Sequence, residues 1–383
     1  MTNFNSIVDE AIAFRHHLHR NPENSWKEVD TAALIRKRLD QLQIPWKTCA
    51  GTGTLAYLGQ DKPGPSIGLR CDIDALPLDE NPTLPHASTR PGCMHACGHD
   101  GHTAVLWGMA AWIKDKEEEL TSPVTLLFQP AEEGGHGARE MIADGALEGI
   151  DVIYGWHNWP AIPKGKACCP DGPIMGGNAT FCIELKGMGG HASQPELCRD
   201  PILAGSAIVM ELQSIVSRRV PPQRSAVLSL TSFDGRSGNT IIPEKVTLRG
   251  SLRFDHEDTR KLLFEGVRSI ANSIAASHGI EADIEVLPCY GMTVNHSGPA
   301  KKMRESLKKV LGEDYQYQDI LLPIMGSEDF SYYLEKIPGT YALIGMAENE
   351  NYTYPCHSPH YQFNDTIVSD AMKVLGNILG FEP

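Results

Sequence analysis

Short apolar runs alternate with helix-like segments along most of this chain, and this alternation restricts the fold more than any other feature of the sequence. The apolar runs cover residues 66–69, 124–128, 152–154 and 341–344. Apolar residues at helical spacing predict surface helices over 6–19 and 29–42. Apolar strands separated by helices are typical of an α/β fold whose sheet is covered on both faces. We therefore expect the α/β class.

The middle of the chain has a different order of elements. Alternating apolar and polar residues predict strands, and helical spacing predicts helices, in the order β-α-β-β-α-β of a ferredoxin-like unit. The strands are predicted over 179–186, 226–233, 246–254 and 282–287, and the helices over 201–218 and 258–278. Because 383 residues exceed what one hydrophobic core usually supports, we expect an α+β domain over 176–288, inserted into a larger domain made of 1–175 and 289–383.

Composition excludes several classes of partner. The net charge is -14 and its acids are scattered along the chain, which argues against binding to nucleic acid. Residues 1–20 lack the pattern of a secretion signal, and no segment reaches the ~20 apolar residues of a membrane span. We therefore expect a cytoplasmic protein without membrane contact. The ten cysteines are then expected as thiols, with the Cys168 and Cys169 pair buried as small residues.

Polar clusters follow three of the predicted strands directly. They are Arg-Cys-Asp-Ile-Asp at 70–74, Gln-Pro-Ala-Glu-Glu at 129–133 and Gly-Trp-His-Asn at 155–158. Ligands of an open α/β sheet bind outside the carboxyl ends of its strands. We expect these clusters to converge on one crevice.

The densest polar cluster is His-Ala-Cys-Gly-His-Asp-Gly-His at 95–102. Cys97 and His99, two residues apart across a glycine, can reach a common centre, and thiolate, imidazole and carboxylate form a mixed ligand set for a divalent ion. The alternative is the start of a helix, capped by Asp100 or Thr103, with histidines that only pack or donate hydrogen bonds. For His102 taken alone, this structural interpretation is preferred.

Two adjacent carboxylates, Glu132 and Glu133, end the second polar cluster. They repel each other unless a cation lies beside them. One can then bind the metal while its neighbour takes a proton from water, as hydrolases require. The alternative is an exposed acidic loop. The G-x-S-x-G pattern at 64–68 begins a strand and therefore predicts no nucleophilic serine, and the glycines at 51–54 lead into a strand and not into a dinucleotide-binding helix.

Taken together, these motifs resemble the M20 metallopeptidase family, in particular its amidohydrolase branch with hippurate hydrolase, N-acetyldiaminopimelate deacetylase and the plant indole-acetyl-amino-acid hydrolases. The likeness extends over nearly the whole chain. Its motifs lie at 71–77, 95–102, 129–134, 157, 187–193, 238–243, 325–332 and 357–359. Two positions depart from the family pattern. Cys71 is expected to affect packing only, and Glu196 lies near the predicted lid histidine, where it could favour an amine-bearing leaving group.

The resemblance implies a two-metal site in the larger domain. Its ligands would be Cys97, His99, Glu133, His157 and His357, and its two divalent ions Mn²⁺, Zn²⁺, Co²⁺ or Ni²⁺. Glu132 would be the general base that takes the proton from a water held between the metals. Asp72 or Asp74 would orient a ligand imidazole from behind, and the sequence does not decide between them.

The resemblance also implies a role for the inserted domain as a lid and dimerisation domain. His191 would act across the dimer to stabilise the oxyanion, and Asn239 and Arg253 would hold the substrate carboxylate. The expected reaction is hydrolysis of the amide bond of an N-acyl amino acid, foremost an N-acetyl one, to a carboxylate and a free amino acid. We expect a homodimer, with a tetramer left open. The alternatives are a dipeptidase or aminopeptidase of the same fold, and a metal-binding regulatory protein without catalysis.

Overall fold

A computed structural model describes residues 3–81 and 84–382 of the chain. Before residue 176 the described elements are α1 (Phe4–Arg20), α2 (Val29–Gln41), β1 (Trp46–Cys49), β2 (Gly53–Leu58), β3 (Ile67–Asp72), α3 (His99–Asp115), β4 (Val124–Gln129), α4 (Gly137–Ala143), β5 (Val152–Pro163), β6 (Ala167–Cys168) and β7 (Gly172–Met175). The middle of the chain contains β8 (Gly177–Lys186), β9 (Gly190–His191), α5 (Pro201–Ser214), β10 (Ala226–Asp234), β11 (Ile241–Ile242), β12 (Lys245–Phe254), α6 (Glu257–Ser277) and β13 (Glu281–Pro288). The last part contains β14 (Thr293–Asn295), α7 (Ser297–Leu311), α8 (Ser331–Leu334), β15 (Gly339–Ala347) and α9 (Ile367–Leu379).

The chain forms two compact units. The first comprises Met1–Ile174, Thr293–Leu322 and Asp329–Pro383, and the second comprises Met175–Met292 and Pro323–Glu328. The short segment 323–328 joins the second unit through a parallel bridge between Met175 and Ile324. The sequence shows no sign of this, because the segment has neither strand nor helix periodicity.

A seven-stranded sheet in the order β1-β2-β4-β3-β5-β15-β6 forms the centre of the first unit. The four strands β4, β3, β5 and β15 run parallel, whereas the strands beyond them pair antiparallel. The inner strands are almost wholly buried, because helices cover a parallel sheet on both faces. The prediction of an α/β fold is confirmed.

Helix α3 is buried along nearly its whole length. It packs against β3, β4, α1 and α9. A helix covered on all sides can carry apolar residues on every face. Its first residue is His99. The helix therefore fixes the position of this imidazole from the inside of the unit.

The second unit contains the β-α-β-β-α-β order predicted from the sequence, and that prediction is also confirmed. Its four-stranded sheet has the order β10-β12-β8-β13, and every neighbouring pair is antiparallel. Helices α5 and α6 pack on this sheet around a separate apolar core that includes Phe181, Leu248 and Phe254. Separate cores explain why one chain forms two units.

Each of the ten cysteines, all of which lie in the described part of the chain, is a free thiol, and Cys168 and Cys169 are buried, as the sequence analysis expected. Cys71 is buried in the main core as well. Glu196, by contrast, lies exposed in the short helical turn Pro195–Leu197. Among the described residues, every helix falls short of the length and apolar content needed to cross a bilayer.

Candidate metal centre

Three overlapping groups of side chains gather in the first unit at the carboxyl ends of its parallel strands. Within each group, the candidate ligand atoms lie within 4.8 Å of one another. The groups are Cys97 with His99 and His157, Cys97 with Glu133 and His357, and His99 with Glu132 and Glu133. All five side chains predicted as metal ligands, and the predicted base Glu132, thus belong to one cluster.

A left-handed glycine brings Cys97 and His99 to the same side of their turn. Gly98 has a φ of 92° and precedes the first turn of α3, a conformation that costs other residues energy. A Cβ atom at this position would lie 2.3 Å from Oδ1 of Asn158 and 2.5 Å from the hydroxyl of Tyr361. Only glycine therefore fits this turn without displacing its neighbours.

The two adjacent glutamates follow β4 in a loop that other carboxylates hold in place. Ala131 has a φ of 53°, and its N–H donates to Oε1 of Glu28 at 2.9 Å. The N–H of Glu133 donates to Oδ2 of Asp74 at 3.0 Å. Glu132 is 6% exposed, which rules out the alternative of an exposed acidic loop for this side chain.

His157 lies inside strand β5, not after it. The apolar run predicted a strand that ends near Tyr154, but β5 continues to Pro163 because it stays paired with β15 through His157 and beyond. Nδ1 of His157 is 2.5 Å from its neighbour's carbonyl oxygen at Asn158, so Nε2 faces Sγ of Cys97 at 3.3 Å. Burial, followed by the charge of His102, lowers the pKa of His157 and keeps its imidazole neutral, as a ligand must be.

His357 reaches the cluster from a loop near the end of the chain. Its backbone N–H donates to the carbonyl of Ala96 at 2.8 Å, which ties this loop to the turn before Cys97. The backbone has a φ of 68°, and Nε2 lies 3.1 Å from Oε1 of Glu133. The side chain is 55% exposed. It therefore forms the solvent side of the cluster.

The structure separates the roles of Asp72 and Asp74, which the sequence left open. Nδ1 of His99 lies 3.0 Å from the carbonyl oxygen of Asp74 and 3.3 Å from its Oδ1. Asp72 instead contacts Nδ1 of His102 at 2.6 Å and accepts from Arg70 at 2.7 Å. Asp72, His99 and His102 also form a group with ligand atoms within 4.8 Å. Asp74 is thus the carboxylate that orients the His99 ring.

His102 connects this network to a neighbouring strand. Its Nε2 lies 2.8 Å from Oδ1 of Asn158, so both ring nitrogens have partners. This agrees with the interpretation of His102 as a hydrogen-bonding residue, which the sequence analysis preferred.

The cluster suits divalent cations. Among the described residues, the buried Nε2 of His99 has no hydrogen-bond partner, while Nδ1 is occupied by Asp74, the arrangement of a metal-binding histidine. Burial lowers the pKa of His99, but the carboxylates of Asp72 and Asp74 outweigh it and raise the pKa. A hydrogen bond with Cys356 and burial raise the pKa of the Cys97 thiol. Cations in such a site favour the thiolate and offset the repulsion between its carboxylates.

The other three predicted site residues lie in the second unit. His191 is exposed in β9, where its Nδ1 accepts from the N–H of Ser193 at 3.1 Å and lies 2.7 Å from the Ser193 hydroxyl oxygen. Asn239 is exposed just before β11. Arg253 lies in β12 and donates to the Ser327 hydroxyl at 2.9 Å, and burial lowers its pKa.

Sequence reasoning assigned no role to Asp329, although this residue lies in the quoted motif at 325–332. It is fully buried in the first unit, and its N–H donates to Oε1 of Glu132 at 3.3 Å. The available signal was an acid between Glu328 and Phe330, directly before a short helix. Only the three-dimensional contact reveals its relation to Glu132.

A sheet with parallel central strands and a group of thiol, imidazole and carboxylate side chains at their ends is typical of a metal-binding α/β enzyme. Residues 68–380 match peptidase family M20/M25/M40, and the chain belongs to this family. It is 38% identical over 371 residues to the hippurate hydrolase of Campylobacter jejuni, covering 95% of this chain and 94% of that protein. It is 36% identical over 379 residues to the N-acetyl-L-cysteine deacetylase of Bacillus subtilis, covering 97% of this chain and 88% of that one.

A solved structure supports the same assignment. The Bacillus subtilis YXEP protein, described as a dinuclear metal-binding peptidase from the M20 family, superposes with a TM-score of 0.84 at 31% identity, covering 98% of both chains. The chain is therefore a metal-binding hydrolase of the amidohydrolase branch. The resemblance stated from the motifs is confirmed at this level.

Proposed function

We propose that the protein hydrolyses the amide bond of an N-acyl amino acid with the help of two divalent cations. The observation that carries the proposal is the convergence of five ligand-type side chains and a sixth side chain, the carboxylate of Glu132, in one largely buried cluster. Cys97, His99, Glu133, His157 and His357 would hold the cations. When bound, the cations would polarise the scissile carbonyl and acidify the attacking water.

The named activities of two relatives support the substrate class. One relative is named as a deacetylase of N-acetyl-L-cysteine and the other as a hydrolase of hippurate. Both substrates are N-acyl amino acids with a free carboxylate. We assign the same class, foremost N-acetyl amino acids, to this protein.

Glu132 is the general base of the proposed reaction. Its carboxylate belongs to the same group as His99 and Glu133, which would hold a cation, so Glu132 is placed to accept a proton from the attacking water. Glu132 takes one proton as the water oxygen bonds to the amide carbon. It then returns this proton to the amide nitrogen as the C–N bond breaks, which yields a carboxylate and a free amine. One carboxylate thus serves both proton transfers.

His191, Asn239 and Arg253 would contact the substrate. Because Nδ1 of His191 accepts from the Ser193 N–H, the neutral ring carries its proton on Nε2 and can donate it to an oxyanion. Arg253 and Asn239 offer N–H donors suited to a substrate carboxylate. In this proposal the second unit acts as a lid and dimerisation domain, and His191 acts on the partner subunit's substrate.

The oligomer and the location are part of the proposal. We assign a homodimer, with a tetramer as a further assembly of dimers, and a cytoplasmic location. The free thiols agree with a reducing compartment. A trans role for His191 predicts that mixing His191→Ala and Glu132→Gln chains restores activity through hybrid dimers. Demonstrated heterodimers without recovery would refute this role.

The deciding experiment is a turnover assay on metal-reconstituted protein. The metal-stripped chain is loaded separately with manganese, zinc, cobalt and nickel, and each form is assayed with N-acetyl amino acids, hippurate and dipeptides. Hydrolysis of the N-acyl amino acids supports the proposal. Glu132→Gln should abolish most turnover while retaining the metals, and wild-type rates in that variant would reject the role of Glu132.

A second candidate is a dipeptidase or aminopeptidase, favoured by the description of the YXEP protein as a peptidase. The same panel separates the two, because a peptidase would prefer dipeptides with a free amino group over acylated ones. A metal-binding protein without catalysis would bind the cations and turn over none of these compounds.

A further inference from the structure

Asp329 lies beside the proposed base and contacts it through the backbone. Its N–H donates to Oε1 of Glu132 at 3.3 Å, and both residues belong to the first unit. Asp329 has no exposed surface and directly precedes Phe330, the N-terminal flanking residue of α8. The position of one carboxylate oxygen of Glu132 therefore depends on where this N–H points.

The side chain of Asp329 is held by donors from three elements of the same unit. Arg70 donates to Oδ1 at 2.9 Å, and the amide of Gln129 donates to Oδ1 at 2.8 Å and to Oδ2 at 2.9 Å. The N–H of Ala138 donates to Oδ2 at 2.9 Å. A buried carboxylate with this many donors has one preferred orientation, and it fixes the backbone that carries it.

Two of the three donor residues lie in strands that lead into the metal cluster. Arg70 lies in β3 and Gln129 is the last residue of β4, three positions before Glu132. Arg70 also donates to Asp72 at 2.7 Å. One buried guanidinium thus pairs with two buried carboxylates, one beside the imidazoles of the cluster and one beside Glu132. Its positive charge offsets part of the cost of burying these two acids.

We propose that Asp329 is a positioning residue for the general base: its N–H holds Glu132, and its carboxylate fixes that N–H. This inference rests on the proposed function. It differs from a purely structural role because it acts on proton transfer, which small displacements of a base impair strongly, and not on the affinity for metal or substrate.

The test is Asp329→Asn in the full-length, metal-loaded protein. Asparagine has almost the same shape but replaces one acceptor oxygen by an NH₂ group, which cannot accept from Gln129, Arg70 or Ala138. We expect kcat for an N-acetyl amino acid to fall about 10- to 100-fold, with KM and the number of bound metals unchanged. An unchanged kcat would overturn the inference. So would a rise in KM or a loss of metal that accounts for the loss of activity.

A matched control is Glu23→Gln. Glu23 is 7% exposed, accepts from the N–H of Thr31 at 2.8 Å and pairs with Arg90 at 3.1 Å, and neither partner belongs to the groups of ligand-type side chains that contain Glu132. This variant should keep the wild-type kcat while experiencing a comparable loss of stability. If it loses kcat equally, the effect of Asp329→Asn is one of general stability and the inference fails.

A second variant decides the question if Asp329→Asn does not fold. Gln129→Met has a side chain of similar length and removes the amide that donates to Asp329 and accepts from Nε of Arg70 at 2.8 Å. It should lower kcat in the same direction by a smaller factor, again with KM and metal content unchanged. Retained wild-type kcat in this folded variant would overturn the inference. The proposed function fails separately, by absence of turnover in the wild-type protein on the same substrates.

Discussion

Nδ1 of His99 lies 3.0 Å from the carbonyl oxygen of Asp74 and 3.3 Å from its carboxylate, which leaves Nε2 directed away from this residue. The same carboxylate accepts from the Ser25 hydroxyl at 2.7 Å and from the N–H of Glu133 at 3.0 Å. A single buried side chain therefore orients two of the proposed metal ligands. Its burial raises the pKa, but hydrogen bonding to His99 and the charge of that ring lower it overall, so Asp74 is ionised.

Asp74→Asn should weaken metal binding. The single amide oxygen can accept from His99 or from the N–H of Glu133, but not from both. Loss of a side chain that orients a metal ligand typically lowers the metal affinity about 10- to 100-fold. Competition of the protein with a chromophoric chelator measures the change. Asp151→Asn is the control, because Asp151 lies in the same unit, directly before the start of β5, and accepts from the Ser66 N–H at 2.8 Å. Equal affinities in both variants would contradict the role of Asp74.

Gly98→Ala should destabilise the first unit more than an ordinary left-handed glycine would. The added methyl group forces a backbone with a φ of 92° on alanine and places it 2.3 Å from Oδ1 of Asn158. The first effect costs about 1–2 kcal/mol, and overpacking adds about 1–3 kcal/mol. Denaturant unfolding measures the sum.

Gly149→Ala isolates the backbone contribution. Gly149 has a φ of 74° and no heavy atom within 4 Å of an added Cβ, so its substitution reports the conformational cost without the clash. The difference in unfolding free energy between the two variants is the cost of displacing Asn158 and its neighbours. No difference would mean that this turn tolerates a side chain, against the geometry described above.

His19 predicts a loss of stability as the pH rises. Burial lowers its pKa, but Asp100 at 2.8 Å and Glu80 at 3.2 Å outweigh burial and raise the pKa to about 9. A histidine whose pKa is higher in the folded chain stabilises it fully below about pH 6.5, and this contribution disappears as the pH rises through about 9. The shift corresponds to about 3 kcal/mol.

The measurement compares unfolding free energies of the metal-stripped protein from pH 6 to pH 10. His19→Gln should be less stable than wild type at pH 6, and the difference should shrink towards pH 10. His17→Gln is the control, because His17 is exposed on the same helix and should leave the wild-type pH profile intact. A constant difference between wild type and His19→Gln across this range would disprove the assignment.

Removing the metals should lower the melting temperature of the protein. Without cations, the carboxylates of Glu132 and Glu133 lie within 4.8 Å of each other with no divalent charge to offset their repulsion. Free metal at about 1,000 times its Kd stabilises the folded state by about 4 kcal/mol. Calorimetry before and after chelation, and after adding the metal back, measures the effect. In Glu133→Gln, chelation should lower the melting temperature by less than in wild type. If chelation leaves the melting temperature of the wild-type protein unchanged, the protein binds no stabilising metal.

Short apolar runs predicted the four parallel strands of the large sheet, and alternation predicted the four strands of the second sheet, because buried strands leave such patterns in the sequence. The edge strands β1 and β6 were not predicted. The hydrophobic pattern also failed at the carboxyl end of β5. There the polar residues His157 and Asn158 interrupt the apolar run, but pairing with β15 continues the strand, and the position of β15 beside β5 is a long-range property. Polar side chains inside a buried strand indicate a functional site, but the hydrophobic pattern alone predicts a loop at such positions.

Cys97, His99 and the adjacent glutamates could be singled out from the sequence because a thiol, imidazoles and adjacent carboxylates have few structural uses together. His157 and His357 were assigned as ligands only through the family resemblance. The roles of the supporting residues could not be assigned from the sequence. Asp72 and Asp74 are separated by one residue and are both buried. Which histidine each carboxylate contacts depends on how the end of β3 is placed against the start of α3. Asp329 likewise gained its role from a contact with a residue nearly two hundred positions away.

Strand β15 lies between β5 and β6 in the large sheet, although it is made long after both. While the ribosome is still synthesising the second unit, the nascent chain exposes the unpaired backbone of β5 and lacks His357. The sheet cannot be completed before β15 has emerged, nor the proposed metal site before His357 has emerged. Newly made protein would therefore bind its cations only once this late loop is available, and fragments that end before β15 are expected to aggregate through the open edge of β5.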